Sequence, residues 1–145
     1  MAGDNKQHEM GMKTVDIHQA LIARMAAASS TAKTWCVTVV SAVAVVAIEK
    51  GKWQIALVGI IATLLFAAID IYYLTLERNV RKFHQEFCKL FREGVDISDK
   101  LFQVGDLSVH FQNTRESAAS KSIWPFYLVI LIGLIAIAII IALKN

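Results

Sequence analysis

Proline occurs once in this 145-residue chain, at Pro125, and neither glycine nor proline interrupts the stretch from Thr14 to Ile48. Nothing in that stretch stops a helix from running on. Lysine and arginine are missing from three apolar blocks, residues 34–48, 53–76 and 123–143. Cysteine occurs only twice, Cys36 inside the first block and Cys88 in a basic segment. Both read as small buried hydrophobes rather than as disulfide partners. A Gly-rich phosphate loop, a nucleophile elbow and a zinc signature are all absent. Enzyme chemistry is therefore not expected, and the pattern calls for no cofactor and no metal. The internal repeats typical of a transporter are missing too. So is an apolar leader with a cleavage site, since the first 25 or so residues are polar to amphipathic.

What the chain does have is apolar length. At 56% hydrophobic residues and a mean hydropathy of +0.51 it is too apolar for an ordinary soluble domain of this size. A bilayer core about 30 Å thick needs roughly 20 helical residues. The second and third blocks meet that length. The first reaches it by extending upstream through the small residues 26–32, with Lys33 snorkelling. Three spans are expected, the first two at about 29–48 and 53–76, the third within 121–145.

Basic residues set the orientation. Lys13, Arg24 and Lys33 precede the first span, and Arg78, Arg81, Lys82, Lys89, Arg92, Arg115 and Lys121 lie between the second and third. The other side has only Lys50, Lys52 and Lys144. The bias places the N-terminus and the long loop in the cytoplasm and the C-terminus outside. The net charge of +3 is mostly this orientation signal, so no specific nucleic-acid partner is expected.

Helical spacing continues past the membrane blocks. Val15, His18, Leu21, Ile22 and Met25 fall three and four apart, as do Val80, Phe83, Phe87, Leu90 and Phe91, with Gly94 as a stop. The expected fold is an all-α membrane protein whose first two helices extend into the cytoplasm as a helical bundle. Residues 1–13 read as disordered and residues 14–94 as one long helical hairpin. Within 95–120, Gly105-Asp106 separates two apolar runs, 101–104 and 107–111, which is the pattern of a small β-hairpin. Ser120 or Ser122 is placed to cap the third helix, with Pro125 in its first turn. Trp124 and Tyr127 sit where an interfacial aromatic belt belongs.

Asp70 is the most informative residue, because a carboxylate inside an apolar span is costly and marks function by default. It lies about 25 Å along the helix from Trp53, and Lys33 lies about 24 Å from Glu49 on the first helix. The two charges share a level near the inner boundary. That predicts an ion pair or a water-bridged pair, against the blander reading that Asp70 snorkels to the headgroups. Ala56, Gly59, Thr63 and Ala67 share a face with Asp70 and form a small-residue packing surface. Thr31, Thr34, Thr38 and Ser41 make a hydroxyl stripe on the first helix, read either as helix–helix contact or as a pore lining. Arg78, Arg81, Lys82, Lys89 and Arg92 are either a solvated face or a ring for an anionic ligand or lipid. His84 and Cys88 are spaced for one metal but stand as a pair without further ligands.

These residues also resemble a widespread group of small, uncharacterised bacterial membrane proteins with three spans. The likeness lies in Ile22-Ala23-Arg24, Lys33-Thr34-Trp35-Cys36-Val37-Thr38, Asp70-Ile71-Tyr72-Tyr73-Leu74, Glu77-Arg78, Arg81-Lys82-Phe83 and Trp124-Pro125-Phe126-Tyr127. That group often has Asn ahead of the first-span lysine, and this chain has none there. The two-helix core with cytoplasmic extensions is similar, in architecture only, to SLATT-type membrane effectors of bacterial conflict systems. The resemblance implies a pore-forming effector of the bacterial inner membrane in anti-phage defence, triggered by a nucleotide signal or a soluble partner protein. Three helices cannot enclose an aqueous pore, so a channel requires a homo-oligomer. The alternative expectation is a non-conducting membrane anchor or scaffold that docks a soluble partner.

Overall fold

A computed structural model describes residues 2–95, 97–105, 114, 117–118, 120 and 123–144, with side chains from residue 5 onward. Helix α1 runs Ala2–Lys50, α2 Trp53–Arg92 and α3 Trp124–Lys144, with a 3-10 turn at Ser98–Lys100. All three helices are long and apolar enough to cross a membrane. At the usual helical rise α1 is about 74 Å long and α2 about 60 Å, so each outruns a hydrocarbon core of about 30 Å.

The α1–α2 turn is two residues long because Gly51 can adopt φ +61°. Its amide donates to the Ile48 carbonyl and that of Lys52 to the Ala47 carbonyl, each at 3.3 Å. This pair of bonds satisfies the last carbonyls of α1 and reverses the chain. Gly94, φ +68°, closes α2 in the same way through Gly94 N–H to Phe91 O and Val95 N–H to Leu90 O. The stop read from the sequence at Gly94 therefore has a physical cause: only glycine takes that φ without strain.

The helices meet along seams spaced three and four residues apart. On α1 the buried positions include Thr14, His18, Ser29, Ala32, Cys36, Val40 and Ala47. On α2 they include Ala56, Gly59, Thr63, Asp70, Val80 and Phe87. Helix α3 contributes Tyr127, Leu134 and Ile141, with Ile123 just ahead of its first turn, packing chiefly on α2 and only lightly on α1. Gly59 marks the junction of all three, since a Cβ there would stand 3.2 Å from both Leu134 and Val43. Small residues let the backbones approach that closely.

Two parts of the architecture differ from expectation. Helix α1 continues upstream of Thr14 to Ala2 instead of giving way to disorder at residues 1–13. Lys13 pairs with Glu9 at 2.7 Å, His8 stacks on Phe91, and Gly11 lies against the same ring, so α2 holds this end in place. Residues 101–104 form no strand; Leu101 and Phe102 are in a turn and the chain is irregular through Gly105. The Phe102 amide and the Gln103 carbonyl bond to side chains of α1. The other half of the expected hairpin, residues 107–111, lies outside the described residues, as does Ser122. The Ser120 carbonyl accepts the Ile123 and Trp124 amides at 3.1 and 3.4 Å, leading into α3 with Pro125 in its first turn.

Candidate functional site

Asp70 is fully buried on α2, facing α1. Lys33 Nζ stands 2.8 Å from its Oδ2 as an ion pair, and the same ammonium donates to Ser29 Oγ at 3.2 Å. The Ser29 hydroxyl in turn donates to Asp70 Oδ1. Ser29 and Lys33 are one turn apart, which puts both on the α1 face that meets Asp70. The bridging serine shares each charge with the other and lowers the cost of placing a carboxylate away from water.

A third helix closes the cluster. The Tyr127 hydroxyl donates to the Phe66 carbonyl at 3.3 Å, one turn before Asp70, and faces the Asp70 carboxylate. Tyr127 is buried, so it belongs to the interior of the helix trio, whereas Trp124 beside it is exposed as an interfacial residue would be. Ser29, Ser30, Lys33 and Glu77 line an open groove of about 530 Å3 with Ala26, Leu74 and Phe126. The carboxylate is thus buried beside Tyr127, while its lysine partner borders an open groove.

The remaining sequence-derived residues fall into two sets. Ala56, Gly59 and Thr63 are buried in the helix seams, with Ala67 partly so. Thr63 donates to the Gly59 carbonyl at 2.8 Å and lies beside the Cys36 thiol. By contrast, Thr31, Thr34, Thr38 and Ser41 are all exposed, on the side of α1 turned away from α2 and α3. Among the described residues the stripe packs on no other helix. Thr34 and Thr38 donate back to the carbonyls of Ser30 and Thr34.

The basic residues do not converge on the groove. Arg78 is half-buried, Arg81 pairs with Glu77, and Lys82, Lys89 and Arg92 are exposed on the face of α2 opposite its seam. Cys88 Sγ lies 3.6 Å from His84 Nε2. No group of three metal-binding side chains occurs among the described residues.

Two members of the site carried weak sequence signals. Ser29 is legible only as the residue one turn before Lys33. Tyr127 carries no mark that separates a buried hydroxyl from an interfacial one. Comparison of the chain with protein-family models, curated proteins and solved structures finds no match. The class that fold and composition define is therefore the coarse one: an all-helical chain with three helices fit to span a membrane.

Proposed function

We propose that the chain is a homo-oligomeric membrane effector or channel, gated through the helical extensions of α1 and α2. The observation that carries this reading is the exposed stripe Thr31, Thr34, Thr38 and Ser41. A run of hydroxyls on the outer side of an apolar helix packs on no other helix among the described residues, and neighbouring copies would supply that packing partner. Arranged around an axis, the stripes would line a polar path that three helices alone cannot enclose. The Lys33–Ser29–Asp70 network then fixes α1 against α2, so that movement of the extensions turns the stripe as a unit. Under the positive-inside rule the extensions lie in the cytoplasm, within reach of a nucleotide signal or a soluble partner protein. The bacterial inner membrane and anti-phage defence enter through the resemblance alone. Purified protein in vesicles loaded with an ion-sensitive dye tests the reading. Flux that Thr38→Leu and Ser41→Leu suppress is expected, and an absence of flux under every trigger would overturn it.

One observation favours a second reading. Thr34 and Thr38 are satisfied by their own helix, so the stripe needs no water and tolerates lipid. A non-conducting anchor or scaffold that docks a soluble partner would keep the oligomer and show no flux.

A further inference from the structure

The segment that leaves α2 is tied down by α1. The Phe102 amide donates to Thr14 Oγ1 at 3.3 Å, and His18 Nε2 lies 2.6 Å from the Gln103 carbonyl. Between these ties Phe102 takes φ +59°, a left-handed conformation that a bulky side chain rarely adopts. Gly105, φ +78°, sits so close to α2 that a Cβ there would stand 2.8 Å from the Phe83 ring. The backbone here is strained, and polar contacts hold it.

His18 is the titratable member of those contacts. It is fully buried, with Phe83, His84 and Phe87 standing edge-on at centroid distances of 5.4, 5.7 and 5.5 Å. Donating from Nε2 to a carbonyl leaves Nδ1 as a bare acceptor, and Nδ1 has no partner among the described residues. A second proton there would be a buried donor with nothing to receive it, beside another imidazole.

Among the described residues the surrounding charges offer no relief. On α2, Glu86 is taken by Lys100, Glu77 by Arg81, and Cys88 presents only a thiol toward His84. On α1, Glu9 is taken by Lys13 and Asp16 is exposed. In the segment itself Asp99 is exposed and its carbonyl receives Gln103 Nε2. Burial, and then the neighbouring His18, hold the His84 pKa below the ordinary histidine value.

We propose that His18 and His84 form a protonation-sensitive latch, which clamps residues 97–105 onto the α1–α2 pair when neutral and releases them when the surrounding compartment acidifies. Charging either ring buries an imidazolium in a largely apolar cage, and charging both sets two cations against each other. An imidazolium still donates from Nε2, so release comes from the buried charge: the charged ring leaves the cage for water, gives up the Gln103 carbonyl and frees the strained Phe102 backbone. As the trigger of a gate, the latch rests on the channel reading above; as a conformational switch, it stands by itself.

The test is backbone hydrogen exchange of the full chain in nanodiscs, followed from about pH 7.5 to about pH 5.5 and corrected for intrinsic rates. Protection at Phe102 and Gln103 is expected to fall by about tenfold or more, while the α1–α2 seam keeps its protection. His18→Gln, which donates to the same carbonyl without titrating, is expected to remove the pH response. His84→Gln, at a less buried position, is expected to weaken it. Unchanged protection in the natural chain, or a full pH response in both variants, would overturn the latch. Vesicle flux measured alongside separates the two ideas: pH-dependent exchange without flux removes the latch as the channel's trigger and leaves it as a conformational switch.

Discussion

Ser29 donates its hydroxyl proton to Asp70 across the α1–α2 seam, from a position 41 residues earlier in the chain. Lys33 holds the other carboxylate oxygen at 2.8 Å. The pair of contacts makes Asp70 the tie between the two longest helices, and its consequences are measurable.

Replacing Asp70 by Asn strands Lys33 in a mostly buried position. Breaking one side of a buried pair costs about 3–5 kcal/mol, so a fall in thermal stability in detergent is expected. Replacing both partners, Asp70→Leu with Lys33→Met, is expected to recover most of that loss, because two apolar groups need no mutual charge. Ser29→Ala should cost less, about 1–3 kcal/mol, the penalty of one unmade buried hydrogen bond. Equal losses for all of these variants would show that Asp70 contributes by bulk alone.

Gly59 should tolerate little. Gly59→Val adds a branched side chain where even a Cβ would stand 3.2 Å from Leu134 and Val43. Overpacking of this kind costs about 1–3 kcal/mol. Thermal unfolding of Gly59→Val, compared with the double variant that also carries Leu134→Ala, checks the cause. The smaller residue at 134 should restore part of the stability.

Acid should weaken the extension of α1 and α2. The His84 pKa is lowered in the folded chain, so protons bind the unfolded chain more tightly. This contribution to stability is complete above the ordinary histidine value of about 6.5. It is lost as pH falls through the lowered folded value. Midpoints of thermal unfolding across that window are expected to decline with acidity in the natural chain and to decline less in His84→Gln.

Much of the fold was legible because bilayer length and charge leave few choices. Residues 53–76 and 123–143 are long apolar runs without a basic residue; the first lies in α2 and the second falls almost wholly in α3. Gly94 announced the end of α2 because its φ of +68° favours glycine. The meeting of Lys33 and Asp70 followed from counting helical rise on two antiparallel helices. What stayed hidden depends on tertiary contact. The segment at 101–104 is apolar enough for a strand, yet its Phe102 amide and Gln103 carbonyl are bonded to Thr14 and His18. Residues 8–13 look polar and loose until Phe91 is set against them. The outward direction of Thr31, Thr34, Thr38 and Ser41 required knowing which side of α1 the other helices take.

That outward stripe leads to the most direct measurement. Thr38→Cys in a Cys88→Ser background, reconstituted in nanodiscs, is to be treated with a short bifunctional thiol crosslinker while native mass spectrometry counts the copies. A discrete assembly of several chains is expected, with crosslinks formed through position 38. A single chain per disc, or an assembly whose crosslinks never form on that face of α1, would contradict a channel built around the stripe.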